Sequence, residues 1–406
     1  MTREEMQKYY SDCLIDEGNL IAMWATGTGK TNLAIYAILR LFKEKGSDFR
    51  ILIVVAETAH KDNWITEFKK FIEPEIYEKI SPCITIICYA SLKKYVNTSW
   101  DILVLDEGHH VESDLRMACL STIKATRVLV LSATLKRDTI FKIERLFGSF
   151  RVSRFSMQKA IDNKILRKPK IFVVPLHLDD LNQDQVIIIK RGTGKEIIKC
   201  KYDDRWMYLR AKLKDTSLVI SCTEQQKYDY LASQCEYWED RYMKEPGDSN
   251  LKRKWLQAGM ARKRFLGNLK TRYVFPVIER LRKEHKRFIC FCSSIQQAED
   301  LGERNAISSK NSRSFTVIRK FNEGVIDEMY AVGMITEGQN LSRIQAGIIV
   351  QLDNEERLFI QKFGRTMRAD SPEQYILFFN NTRDQVYLEK ALKDINKDYV
   401  KVLWDV

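Results

Sequence analysis

Ala25-Thr26-Gly27-Thr28-Gly29-Lys30-Thr31 constrains this chain more than any other stretch, because it places glycines, a lysine and a threonine between a strand and a helix. Leu20-Ile21-Ala22-Met23-Trp24 is short and apolar and reads as a buried strand, while Asn32 to Leu39 carries helical spacing. A glycine-rich turn in that position lets backbone N–H groups curl around a phosphate at the positive end of the helix. Thr26, Gly27, Thr28, Gly29, Lys30 and Thr31 are therefore the expected nucleotide-binding set (a Walker A loop). Lys30 would reach the β and γ phosphates and Thr31 would hold Mg²⁺. The general form of the loop has a further glycine ahead of the turn, and Trp24 stands there instead.

Gly192-Thr193-Gly194-Lys195 repeats the central letters, but it lies between two strand-like runs, Val186–Lys190 and Ile197–Lys201, and no Ser or Thr follows the lysine. It reads as a hairpin turn.

The 406 residues are enough for about two to three domains. A composition of 45% hydrophobic and 30% charged residues is that of a globular protein. No apolar run approaches the roughly 18 residues that span a bilayer, and Met1-Thr2-Arg3-Glu4-Glu5 does not read as a signal peptide. The nine cysteines include no Cys-x-x-Cys pair, which argues against zinc and disulfides and for a reducing, cytoplasmic setting. The net charge of +13 favours a polyanionic partner. The clearest local excess runs from Ser249 to Arg272, which includes Lys252, Arg253, Arg262 and Arg264 and no acidic residue. Those four are candidate nucleic-acid contacts. The other reading is a solvated helix face whose apolar side, Trp255, Leu256, Met260 and Phe265, packs inward.

Residues 1–175 alternate apolar strand-like runs with helical stretches; the runs are Arg50–Ala56, Cys83–Tyr89, Asp101–Asp106, Thr126–Ser132 and Lys170–Pro175. Their continuous hydrophobicity argues for a parallel sheet covered on both faces, a doubly wound α/β domain. Residues 176–270 differ, holding the hairpin, a polar helix from Glu224 to Lys244, a turn at Glu245-Pro246-Gly247-Asp248, and the basic helix. From 271 to 406 the α/β rhythm returns, with strands near Arg287–Cys292, Met329–Ile335, Gly347–Gln351 and Gln374–Asn380.

Asp101-Ile102-Leu103-Val104-Leu105-Asp106-Glu107-Gly108-His109-His110 is an apolar strand that ends in two carboxylates. At a strand tip beside a phosphate loop, Asp106 would hold the metal through water and Glu107 would polarise the attacking water. His109 is expected to link this site to the neighbouring lobe. Ser132-Ala133-Thr134 follows the next strand, Val128–Leu131.

In this order the segments resemble the DExH branch of superfamily 2 helicases and translocases, along almost the whole chain. Arg3 and Gln7 are similar to that family's adenine-reading element. Glu57 and Thr58, followed by Asn63-Trp64, are similar to a motif that lies along the nucleic-acid backbone, although Ala56 stands at the family's usual proline. Tyr89-Ala90-Ser91-Leu92 resembles the next such element. In the second lobe, Phe291-Cys292-Ser293-Ser294 resembles the fourth motif. Glu337-Gly338-Gln339-Asn340-Leu341 resembles the fifth, where a glycine lets the backbone approach phosphates. Gln361-Lys362-Phe363-Gly364-Arg365-Thr366-Met367-Arg368 puts two arginines three apart on one helix face. The resemblance implies that this helix, with Gln361, faces the γ-phosphate, and that Arg365 and Arg368 are arginine fingers, typically worth about 10³–10⁵ in turnover. Leu218–Tyr228 and the region ending Asn268-Leu269-Lys270-Thr271 resemble the segment that joins the lobes in Swi/Snf-type duplex-DNA translocases and related phage helicases.

The implied architecture is two RecA-like parallel-sheet lobes around a hairpin and helical insertion, using ATP and Mg²⁺. The implied activity is that of a DNA helicase or duplex-DNA translocase on duplex, forked or single-stranded DNA. An RNA helicase, or an ATP-gated clamp that does not move, are the alternatives. A phosphate-loop kinase would need only one α/β domain and would leave Gln361–Arg368 without a purpose. Nuclease or targeting activity is expected from a partner protein, and the source is expected to be phage or bacterial.

Overall fold

The computed structural model describes residues 1–180, strand segments 187–191, 194–195 and 208–213, and residues 216–333, 341, 343–354, 356–367 and 369–404. The first lobe runs α1 (Arg3–Glu17), β1 (Asn19–Trp24), α2 (Lys30–Lys45), β2 (Ile51–Val55), α3 (Thr58–Phe71), α4 (Pro74–Ile80) and β3 (Ile84–Cys88). It continues with β4 (Ser99–Asp106), α5 (Asp114–Leu120), β5 (Lys124–Ser132), α6 (Arg137–Phe147), β6 (Arg151–Phe155) and α7 (Met157–Asp162). Its strands are all parallel, in the order β3-β2-β4-β5-β1-β6.

Every residue of β2 is buried, and alternate side chains enter opposite cores. Ile51, Ile53 and Val55 join Leu20, Ala22 and Trp24 on one face, while Leu52 and Val54 join Ile21, Leu103 and Leu105 on the other. Cover on both faces is why these strands read as unbroken apolar runs. In α1, Thr2 and Glu5 form a reciprocal capping box that fixes where the helix starts. α2 buries Leu33, Ala34, Ala37, Ile38 and Leu41, the three-and-four spacing of one helix face.

The chain then forms β7 (Lys170–Leu176) and a small antiparallel sheet of β8 (Ile187–Arg191), β9 (Gly194–Lys195), β10 (Tyr208–Leu213) and β11 (Thr216–Ser221). β8 and β9 pair antiparallel as Lys190↔Lys195 and Arg191↔Gly194, while Gly192 and Thr193, where the hairpin turn is expected, lie outside the described residues. Two long helices follow, α8 (Glu224–Lys244) and α9 (Ser249–Leu269), packed as an antiparallel arm. Trp255 stacks on Tyr242 at 5.5 Å across the arm, and Lys254 Nζ lies 4.5 Å over the Trp238 ring. Of the side expected to pack inward, Leu256 and Met260 are instead more than half exposed among the described residues, where α9 packs chiefly against α8.

The second lobe comprises α10 (Thr271–Lys283), β12 (Phe288–Phe291), α11 (Ile295–Gly302), β13 (Ala306–Ser308), α12 (Ser314–Glu323) and β14 (Glu328–Val332). It closes with β15 (Ala346–Ile349), α13 (Glu356–Thr366), β16 (Glu373–Phe379), α14 (Arg383–Leu392) and β17 (Val400–Val402). Its parallel sheet has the order β13-β14-β12-β15-β16-β7-β17. The strand Lys170–Pro175, expected in the first lobe, therefore belongs to the second sheet, where β7 pairs with β16 and β17. A continuous apolar strand satisfies either sheet, and its local sequence does not choose between them. One core runs from Leu20 and Ile53 through Ile171 and Val173 to Ile289, Phe291 and Ile376, so it spans both lobes. Among the described residues, no helix is long and apolar enough to cross a membrane.

Candidate active site

The C-terminal ends of β1, β4 and β5 lie side by side, the edge where a parallel α/β sheet receives its ligand. The Ala25–Gly29 turn leaves β1 there, with left-handed φ values of 89° at Gly27 and 88° at Gly29. Gly29 precedes α2 without a side-chain cap, and a Cβ on it would sit 2.0 Å from the Gln7 amide nitrogen. That nitrogen donates to Thr28 O at 3.2 Å and Gly29 O at 3.1 Å, so buried Gln7 ties α1 to the loop. Arg3, four residues before Gln7 on α1, donates to Ile165 O at 2.6 Å. Thr28 is buried, and its hydroxyl donates to Ala25 O at 2.8 Å, which tightens the turn. Lys30 Nζ donates to Trp24 O at 2.9 Å. Burial lowers the affinity of this ammonium for its proton; the carboxylates of Glu107 and Asp106 oppose that shift, and Arg365 adds to it. Thr31 follows on the first turn of α2 and is half-buried.

Asp106 closes β4. Trp64 Nε1 donates to its Oδ2 at 2.9 Å, the Glu107 backbone N–H donates to its Oδ1 at 3.0 Å, and the Tyr89 hydroxyl donates to its carbonyl at 3.0 Å. Burial first, and then the neighbouring Glu107, raise the Asp106 carboxyl above its ordinary value. Glu107 adopts φ 48°, a left-handed conformation that costs a non-glycine residue on the order of 1–3 kcal/mol. Its Oε2 is buried 3.4 Å from His109 Nδ1 and has no hydrogen-bond partner among the described residues. His109 Nδ1 also lies 3.4 Å from the Ser132 hydroxyl, which donates to Thr134 O at 2.7 Å and so joins the two strand tips. Two adjacent buried carboxylates, one with an unmatched oxygen, fit a cation and a positioned water, and a magnesium nucleotide at the neighbouring loop would bring both.

The second lobe reaches this edge through α13. A Cβ on Gly364 would stand 2.5 Å from Thr26 Cβ, so only a glycine lets the helix rest on the loop. Gln361 and Arg365 on the same helix are buried. Arg368, Gly338 and Asn340 lie outside the described residues.

The residues expected along nucleic acid divide. Glu57 and Thr58 are exposed at the start of α3, Ser91 is half-buried, Lys252, Arg253 and Arg264 are exposed on the arm, and Arg262 is half-buried there. Tyr89 is instead buried beneath Asp106. The Ser293 hydroxyl donates to Gln297 Oε1 at 2.9 Å, and Ser293 packs against Gly267 at the root of the arm. Sequence reasoning missed the role of Trp64 as a donor to Asp106. The available signal was the spacing of His60, Trp64 and Phe68, the buried face of α3, since a core tryptophan needs an acceptor for its indole.

Two RecA-like lobes thus meet at a glycine-rich turn and a carboxylate pair. Residues 2–137 match the family model described as "Type III restriction enzyme, res subunit". The helicase domain of Hef from Pyrococcus furiosus shares the fold, with a TM-score of 0.56 and 13% identity over 95% of this chain and 97% of that one. Mss116p, in a double deletion bound to ssRNA and AMP-PNP, also shares it, with a TM-score of 0.56 and 12% identity over 96% of this chain and 72% of that one. No curated protein matches in sequence. The family model thus covers about a third of the chain, at its N-terminal end, and the two solved structures share its fold along almost its whole length.

Proposed function

We propose that the protein is a nucleic-acid-dependent ATPase of the DExH branch that works as a DNA helicase or duplex-DNA translocase. The observation that carries this reading is the double hold on Asp106. Trp64 and Tyr89 both hydrogen-bond it, and they come from the segments that resemble nucleic-acid-contacting motifs. A strand lying against the start of α3 or against Tyr89–Leu92 would thereby bear on the carboxylate that serves hydrolysis.

Lys30 and the loop N–H groups would hold the β and γ phosphates, while Gln7, anchored on the loop, would face the base. Thr31 and Asp106 would hold Mg²⁺, which would supply charge neutralisation on the phosphates. Glu107 would orient and deprotonate the attacking water. Arg365, Arg368 and Gln361 would stabilise the transferring phosphoryl group from the other lobe. Nucleic acid would cross both lobes on Glu57, Thr58, Ser91, Ser293 and Asn340, and reach the arm at Lys252, Arg253, Arg262 and Arg264. Such contacts go to phosphates, so binding should be nearly sequence-independent and strongly salt-sensitive. Opening and closing of the cleft would step the protein along a strand. We place the lobes at 1–175 and 271–406 with the insertion between, β7 pairing across that boundary. An RNA substrate is the second reading, favoured by the ssRNA on Mss116p.

The test is ATP turnover with and without nucleic acid in Lys30→Ala and Glu107→Gln. Both variants should lose stimulated hydrolysis; stimulation that survives in either would remove this cleft from the mechanism.

A further inference from the structure

The root of the arm carries a charged relay separate from the nucleotide pocket. Asp353 follows β15 and sits between α9 and α13. One of its oxygens pairs with Lys263 of α9, and the other accepts a hydrogen bond from Lys362 Nζ of α13 at 2.9 Å. Lys362 Nζ also approaches Gln351 O at 3.4 Å, and Gln351 Oε1 accepts from Lys270 Nζ at 3.1 Å. Lys270 stands just past α9 and is paired with Asp384 at 2.5 Å, with both side chains fully buried. The end of the arm is thus tied through residues 351–353 to α13.

Burial alone would raise the Asp353 carboxyl, but the ammoniums of Lys362 and Lys263 hold it below its ordinary value. The Asp353 and Lys362 side chains are 14% and 12% exposed, so little slack exists between them, while Lys263 is 41% exposed and faces the arm's surface. Arg365 lies three residues beyond Lys362, about 4.5 Å along the helix axis. Between them, Gly364 rests on Thr26 of the phosphate loop.

We propose that Lys263 is a positioning residue: acting through Asp353 and Lys362, it makes the seating of Arg365 against the Lys30 loop depend on the position of the arm. Nucleic acid held along α9 would then raise turnover by moving a helix that it does not touch. The inference rests on the nucleic-acid reading above. An ion pair with one exposed partner adds little to folding stability, so the pair can be removed without unfolding the lobe. The two buried members are what transmit its position.

The experiment is steady-state ATPase of the full chain with a forked DNA duplex and, in parallel, a single-stranded RNA, alongside binding by anisotropy across a salt series. In Lys263→Met, basal kcat, KM for ATP and the nucleic-acid Kd should stay within about twofold, while stimulated kcat falls at least about fivefold. Lys263→Arg should restore it. Undiminished stimulation in Lys263→Met overturns the proposal. A loss of affinity and salt slope in step with kcat also overturns it, because Lys263 would then be a phosphate contact. Wild-type protein that neither nucleic acid stimulates refutes the underlying reading and the relay with it.

Discussion

Replacing Trp64 by phenylalanine isolates one hydrogen bond in the cleft. The indole is 2% exposed, donates to Asp106 Oδ2 at 2.9 Å, and packs 5.9 Å from the Phe68 ring, a contact that phenylalanine preserves in large part. A buried hydrogen bond to a charged acceptor contributes about 1.5–3 kcal/mol. At about 1.4 kcal/mol per factor of ten, its loss should lower kcat, or the apparent affinity for Mg²⁺, by about 10–100-fold. KM for ATP should change by less than about threefold, since on the proposed reading the loop, and not Asp106, would hold the phosphates. The assay is ATP turnover across a magnesium titration, with near-ultraviolet circular dichroism to check that the core is intact. Wild-type kcat and wild-type magnesium dependence in a folded Trp64→Phe protein would refute the reasoning, because Asp106 would then be positioned without the indole.

Tyr89→Phe removes the hydroxyl that holds the Asp106 carbonyl; burial pushes this phenol well up, so it remains a donor at neutral pH. Turnover should fall about 3–10-fold, as for one neutral hydrogen bond, with nucleic-acid affinity unchanged; a weakened Kd would return Tyr89 to the binding face. Asp106→Asn should abolish hydrolysis yet raise the melting temperature at neutral pH. Because burial and Glu107 raise the folded-state value, the folded chain binds the proton more tightly than the unfolded one, and this favourable contribution is lost as pH rises from the ordinary value through the raised one. The gain should vanish below the ordinary carboxylate range, and a variant less stable at neutral pH would contradict this sign. Gly364→Ala drives a methyl to within 2.5 Å of Thr26 Cβ and lifts α13 off the loop. A displacement of that kind costs about 100-fold in kcat, with the fold retained as read by thermal melting.

The phosphate loop and the Asp106-Glu107 tip were legible because each is a contiguous run whose residue types and flanking strand define the chemistry. The parallel strands were legible for a related reason: burial on both faces of a sheet leaves an unbroken apolar run, as at Ile51–Val55. What the sequence did not show depends on partners far apart along the chain. Trp64 meets Asp106 across 42 residues, and Asp353 gathers lysines from 90 residues before it and nine after. No local periodicity records such meetings. Lys170–Leu176 looked like a strand of the first lobe because pairing with Glu373–Phe379 is a property of the folded sheet. Leu256 and Met260 have the spacing of a buried face, yet they are exposed among the described residues.

The central claim is that nucleic acid drives ATP hydrolysis in the cleft between the lobes. It is tested most directly by measuring wild-type kcat for ATP with no nucleic acid, single-stranded DNA, duplex DNA, forked DNA and RNA in parallel. Turnover that rises with at least one DNA form and falls steeply with added salt is the predicted result. Equal turnover in all five conditions would contradict it.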